Sequence, residues 1–420
     1  MRSEPYRRLS VFTILLVCLF FCGCLKKFPV EFLWGVSTAG FQSEGGDTAS
    51  VWAKWDSQGH TKDRVGLAVD FLHRYREDID LAANMGNNAF RISIEWSRIE
   101  PEQGVIDQDA LAYYDDLINA ITARGMQPVV TLIHFNYPLW LEDECGWDNP
   151  LVVDYYLRYV DLVVTRYGDR VKYWISFNEP NLWPIFAWSI GFMPPGKANL
   201  FATLKVKDNI VAAHRRAYDL IHHLDPECLV SANMYYIQFK HWLLGFILNS
   251  DYIQSEFVLD DIDDKIDFLS IDYYYNFTSL NDLLAANGRK WLCTIYPEGL
   301  YKALKKYSQK YPDLPIMVAE NGMATENGKP RPDGWTRSEH LKSHVYWMQK
   351  AMSEGVKVIG YLYWSLTDNY EWGDYNERFG LYTVNALSDM TLERIPTDAV
   401  QTYRDIIANR GIPNDYTPRK

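Results

Sequence analysis

The sequence predicts a single (β/α)8 barrel. Between residues 28 and 420, eight short apolar runs alternate with amphipathic stretches, and no repeat, low-complexity segment or long linker interrupts them. Runs apolar on both faces that alternate with helices indicate a buried parallel sheet, and eight such units indicate a closed barrel rather than an open sheet. Polar residues also cluster at the ends of these runs, where a barrel of this kind carries its active site.

The elements follow in order. Runs rich in β-branched and aromatic residues predict strands over 32–36, 89–94, 129–134, 173–177, 229–234, 268–273, 316–319 and 359–364. Apolar residues at three- and four-residue spacing predict helices over 75–84, 110–124, 151–167, 209–224, 298–307 and 339–353, with 399–409 after the last strand. His134 closes the third run, Asn178-Glu179-Pro180 follows the fourth, Tyr273-Tyr274 the sixth, Glu320-Asn321-Gly322 the seventh and Trp364 the eighth. Side chains from different strands therefore converge on one pocket.

Composition narrows the function. The chain has 420 residues, 48% hydrophobic and 23% charged, which excludes a disordered, collagen-like or disulfide-stapled chain. Its 42 Lys and Arg stand against 54 Asp and Glu, a formal charge of −12, and with no basic stripe this argues against nucleic acid as partner. Fifteen Trp, 29 Tyr and 19 Phe exceed what a core alone asks for and point to a site that stacks on ring-shaped ligands. Cys145, Cys228 and Cys293 are scattered without metal-ligand spacing, and no disulfide framework is readable.

Residues 1–27 read as a targeting segment or anchor, and 28–420 as the barrel. Arg7 and Arg8 precede an apolar run from Leu9 to Phe21, short for a spanning helix, and Phe21-Cys22-Gly23-Cys24 follows. That tetrapeptide is similar to a bacterial lipoprotein cleavage box with Cys24 as the lipidated residue. An uncleaved membrane anchor and soluble export are the alternatives. Lipidation or anchoring would tether the protein to a membrane in the cell envelope; soluble export would not.

Glu179 and Glu320 lie three strands apart around the predicted barrel and can face each other across its mouth. Taken singly, each would be an ordinary rim residue. Two carboxyl groups in one pocket can be held at different pKa values, one as an acid and one as a nucleophile or base, which is the apparatus of glycoside hydrolysis. No phosphate-binding glycine loop and no His-Glu-x-x-His zinc site competes for the chemistry.

Across residues 28–420 the ordered motifs resemble glycoside hydrolase family 1. They include Phe32-Leu33-Trp34-Gly35, Gln42-Ser43-Glu44-Gly45, Phe90-Arg91-Ile92-Ser93, Thr131-Leu132-Ile133-His134, Asn178-Glu179-Pro180, Tyr273-Tyr274, Glu320-Asn321-Gly322, Tyr363-Trp364-Ser365, Glu371-Trp372 and Arg378-Phe379-Gly380-Leu381. The resemblance implies a retaining β-glycosidase, most simply an exo-acting β-glucosidase, with Glu179 as acid/base and Glu320 as nucleophile. It implies Arg91 and Tyr274 beside Glu320, and Asn178 on the sugar's 2-hydroxyl. It further implies Gln42, His134, Glu371 and Trp372 as contacts to the non-reducing-end sugar and Trp364 as its stacking platform, without metal or cofactor. Galactoside, fucoside or mannoside specificity, or a silent carbohydrate-binding relative, are the alternatives.

The chain departs from the family pattern at a few positions. Asp272 stands where the family has Asn, which would place a third carboxyl near the pair; Phe135 replaces a Trp; Ala319 replaces a Thr; and the stretch between Trp372 and Arg378 is one residue short. Glu371 and the run 373–377 are acidic and lack Lys, unlike the phospho-glycosidase branch, so a phosphorylated sugar would be repelled. His222, His223 and His241 match no motif and are expected at the surface.

Overall fold

A computed structural model describes residues 25–237, 253, 256–275, 277, 279–286 and 288–419. Its centre is a closed barrel of eight parallel strands, β1 (Leu33–Ser37), β2 (Ala89–Ser93), β3 (Gln127–Ile133), β4 (Tyr173–Asn178), β5 (Leu229–Tyr235), β6 (Leu269–Asp272), β7 (Ile316–Asn321) and β8 (Val358–Trp364), each bonded to the next and β8 to β1. The predicted eight strands are all present. Every strand end lies within two residues of the expected one.

Helices α1 (Phe71–Asn84), α2 (Gln108–Ala123), α3 (Val152–Tyr167), α4 (Leu200–Leu224), α5 (Pro297–Lys310), α6 (Arg337–Ser353) and α7 (Asp398–Asn409) surround the barrel. Helix α4 starts nine residues before its predicted start. The Asn199 side chain accepts from Phe201 N and Ala202 N and caps it there, while Leu200 and Phe201 are exposed and break the apolar periodicity that marks the rest. Helix α6 opens on a capping box between Thr336 and Glu339, two residues before the predicted start.

The strands separate two apolar layers. Ala89, Val129, Ile175, Phe268, Met317, Ala319 and Leu362 fill the barrel interior, whereas Phe90, Ile92, Val318 and Ile271 join the larger core between barrel and helices. This is the period-two alternation of strands buried on both faces. The polar ends of the strands sit above the interior plug, so a side chain that points inward there faces the barrel mouth.

Contacts begin slightly before residue 28. Leu25 N donates to Asn414 Oδ1 (2.7 Å) and Lys26 N to Ser353 Oγ (2.8 Å), and buried Phe28 packs on Phe32 and Trp34 with ring centroids 4.6 and 4.8 Å away. Cys24 and the apolar run before it lie outside the described residues. Among the described residues, no helix is long and apolar enough to cross a membrane.

Candidate active site

Two irregularities in the barrel put carboxylate chemistry at its mouth. On β7, Met317 and Ala319 point inward, so strict alternation would turn Glu320 outward; a register shift against β8 between Val318 and Asn321 brings it in. On β4, Ile175 points inward and Ser176 outward, where its hydroxyl meets His214 on α4 (2.7 Å). A shift against β5 between Ile175 and Asn178 turns Asn178 into the barrel. The next residue, Glu179, takes a left-handed backbone with φ of +44°. Gly322 closes the motif after Glu320 because a Cβ there would lie 1.9 Å from the Trp364 carbonyl oxygen.

Arg91, fully buried on β2, organises the centre. Its Nη1 donates to Glu320 Oε1 (2.5 Å), its Nη2 to Asn178 Oδ1 (2.7 Å) and its Nε to Thr131 Oγ1 (2.9 Å). The Tyr274 hydroxyl donates to the other Glu320 oxygen (2.7 Å). One oxygen each of Glu179, Asp272 and Glu320 lies within 4.8 Å of the other two.

The electrostatics of these carboxyls are unequal. Burial raises all three, but at Glu320 the Arg91 charge and the Tyr274 and Arg91 hydrogen bonds oppose it. Glu179 is pushed well above the usual carboxylate range by burial and then by the charge of Glu320, with only weaker help from Lys290 and Arg91. Asp272 is pushed well above it by burial and again by Glu320. Glu320 is also raised, but less than the other two, so the arrangement favours charge on Glu320 and a proton on Glu179, which suits attack on an electrophilic carbon from Glu320 and proton supply from Glu179.

A second group of residues lines the pocket beside this centre. Gln42, on a short helix after β1, donates from Nε2 to Glu371 Oε2 (3.1 Å), Asn369 Oδ1 (3.3 Å) and the Tyr370 carbonyl (3.1 Å). His134 lies near-parallel to both Trp364 and Trp372, at 5.8 and 5.9 Å between centroids, and its Nε2 is 3.4 Å from Asn178 Nδ2. Burial and then the Arg91 charge push His134 well below its ordinary value, so it is neutral. Gln42 Oε1 and His134 Nδ1 are buried without a protein partner, which leaves each able to meet a ligand hydroxyl. Phe135 packs edge-on to Trp372 at 5.3 Å, an apolar wall where an indole would carry an N–H.

All ten residues expected at the catalytic and binding site therefore meet at one barrel mouth. His223 is exposed and His222 half-buried, bonded to the Tyr218 carbonyl and paired with Asp267 at 3.2 Å; His241 lies outside the described residues. Two residues escaped the sequence reading. Asn233 donates to Asn178 Oδ1 (2.7 Å) and to Asp272 Oδ2; its signal was a polar residue two positions after Ser231, on the same face of β5. Lys290, in the loop between β6 and β7, donates to Glu371 Oε1 (3.2 Å) and Glu377 Oε2 (2.6 Å), and no local pattern marks it. The acidic segment thus does have a cation, supplied by another loop, although two carboxylates against one ammonium remain acidic on balance.

Comparison with known proteins agrees with this geometry. The family model for glycosyl hydrolase family 1 matches residues 24–240 and 277–412. Beta-glucosidase A of Thermotoga maritima is 30% identical over 92% of this chain and 99% of its own length, and Beta-glucosidase A of Acetivibrio thermocellus is 31% identical over 91% and 99%. Solved structures of a Thermotoga maritima beta-glucosidase with noeuromycin and with galacto-hydroximolactam superpose with TM-scores of 0.82 and 0.80, at 28% identity over 92% of this chain and all of theirs.

Proposed function

The chain belongs to glycosyl hydrolase family 1, and from that premise we propose that it is a retaining, exo-acting β-glycosidase for non-phosphorylated β-D-glucosides. The observation that carries this reading is the asymmetry of the carboxyls: Glu320 has a guanidinium and a phenol on its two oxygens, while Glu179, within 4.8 Å, makes no such contact and is held protonated. Carboxyl groups about 5–5.5 Å apart suit double displacement, and an inverting pair needs about 6.5–9.5 Å to admit a water.

In the first half-reaction Glu320 attacks the anomeric carbon as the glycosidic bond breaks, and Glu179 gives its proton to the departing oxygen. The glycosyl ester then removes the charge from Glu320, which lowers the proton affinity of Glu179, and Glu179 takes a proton from the attacking water. Asn178, with Oδ1 occupied by Arg91 and Asn233, offers Nδ2 to the 2-hydroxyl. Gln42, Glu371 and neutral His134 take the outer hydroxyls, Trp364 and Trp372 the ring. The Gln42–Glu371–Lys290–Glu377 network closes the pocket on that side, which favours a terminal sugar.

The relatives' β-glucosidase names support glucosides first. A Thermotoga maritima relative holds a galacto-configured hydroximolactam, which supports galactosides and fucosides as second substrates. We also propose that export leaves the protein tethered to the cell envelope through Cys24.

Four outcomes test these statements. Turnover of an aryl β-glucoside, with the β-anomer as first-formed sugar by NMR, is expected, and Glu320→Gln abolishes it; turnover of no aryl β-glycoside, or a first-formed α-anomer, contradicts the reading. The rate falls on the acid side as Glu320 gains a proton and on the alkaline side as Glu179 loses one. Glu371 is pushed up to about 7, by burial above all, and Lys290 holds it down to that value. Lys290→Met removes that charge and a charge-assisted hydrogen bond, so KM for glucoside rises about tenfold or more at neutral pH; an unchanged KM removes Lys290 from the sugar site. Labelled fatty acid enters the wild-type protein in a lipoprotein-processing bacterial host and not Cys24→Ala, whereas equal labelling, or none in either, contradicts lipidation at Cys24.

A further inference from the structure

Asp272 ends β6 and pairs with Glu320 on β7, just past a register shift after Ile271. It is fully buried, its Oδ2 accepts from Asn233 Nδ2, and its Oδ1 has no protein partner. The groups that face it are Glu320 from β7, Glu179 from the end of β4, Asn233 and Tyr235 from β5, Arg91 from β2 and Tyr274 just beyond β6. Arg91 is the guanidinium among them, and it directs its donors to Glu320, Asn178 and Thr131 rather than to Asp272. The nearby ammonium of Lys290 is bound to Glu371 and Glu377.

Three carboxyls thus crowd within 4.8 Å around one guanidinium. Buried charge without a partner is expensive, so two of the three hold protons. Glu320 holds the guanidinium and the phenol, whereas Asp272 has one amide N–H from Asn233 to favour its charged form, which leaves the protons to Glu179 and Asp272. Burial and the charge of Glu320 act on Asp272 in the same direction.

We propose that Asp272 is a proton-bearing positioning residue, a neutral carboxylic acid that fixes Asn178 through Asn233 and turns its own acid proton, on Oδ1, toward the catalytic pair. The assignment rests on the glycosidase reading for its consequence, but not for the proton itself. Arg91 Nη2, a donor only, fixes Asn178 with its Oδ1 inward, so Asn233 must present Nδ2 to Asn178 and Asp272, and its Oδ1 accepts from Ser270 Oγ (2.8 Å). Asn178 Oδ1 is then occupied twice, and its Nδ2 is committed to the sugar side. For three atoms no more than 4.8 Å apart, some point lies within about 2.8 Å of all of them, so one hydroxyl or water oxygen can meet all three carboxyls at hydrogen-bond distance.

The test uses the full chain with Asp272→Asn and Asp272→Ala. Infrared difference spectra of wild type against Asp272→Asn at neutral pH show a protonated-carboxyl C=O band that the variant lacks. Asp272→Asn accepts from Asn233 as before but donates more weakly, so kcat/KM on an aryl β-glucoside falls about threefold to tenfold, with the alkaline limb within about 0.3 pH unit of wild type. Asp272→Ala frees Asn233, and the preference for glucoside over 2-deoxyglucoside falls about tenfold or more; Asp272→Asn keeps that preference. Absence of the infrared band, an alkaline limb lowered by about one unit in Asp272→Asn, or equal losses on both substrates in Asp272→Ala overturns the proposal. Wild type inactive on every β-glycoside sinks the glycosidase reading instead, and the infrared band then still reads the proton on Asp272.

Discussion

The ion pair between Arg91 and Glu320 is the contact on which the rest of the site depends. A buried carboxylate needs a buried cation, and here the single guanidinium reaches Glu320, Asn178 and Thr131 at once. It therefore decides which carboxyl is ionised and also which way the Asn178 amide faces. The second decision extends through Asn233 to Asp272, so charge and hydrogen-bond direction are set by one network rather than by separate residues. Neutral His134 fits the same logic, because a second cation beside Arg91 would compete for the one carboxylate charge.

A parallel barrel gives rigid strand ends, but its period-two alternation does not by itself deliver these side chains. Register shifts near the ends of β4 and β7 turn Asn178 and Glu320 toward the axis, and left-handed backbone at Phe135, Glu179 and Trp372 re-aims the chain as it leaves the barrel. Each non-glycine residue in that region costs about 1–3 kcal/mol, which is retained only where the surroundings over-determine it. Phe135 and Trp372 pack in a wall with Phe41, Trp52 and Trp183, and the Glu179 carbonyl accepts from Trp183 N (2.9 Å).

Most of this was legible in the sequence, for physical reasons that differ by element. The strands announce themselves because both faces are apolar, and the helices because one face is. Glu179 and Glu320 stand out because a carboxylate at the end of an apolar run has few bland explanations when two occur. The start of α4 was hidden by exposed Leu200 and Phe201, and the inward turn of Glu320 by a register shift that leaves no trace in composition. Lys290 was invisible for another reason: its partners Glu371 and Glu377 lie some 80 residues away along the chain and meet it only through barrel closure. Asp272 was visible as a departure, yet the network that gives it meaning needed Asn233, whose one mark in the sequence is a polar side chain two residues after Ser231 on β5.

Double displacement needs one carboxylate of the three to be the nucleophile. The most direct measurement is mass spectrometry of the protein after treatment with a 2-deoxy-2-fluoro-β-glucosyl donor bearing a fluoride leaving group. The fluorine slows both steps by destabilising the cationic transition state, and the reactive leaving group restores the first, so the glycosyl ester accumulates. One fluoroglucosyl adduct per chain is expected, on the peptide that carries Glu320. An adduct on Glu179 or Asp272, or rapid hydrolysis of a natural β-glucoside with no adduct formed, would contradict that role for Glu320.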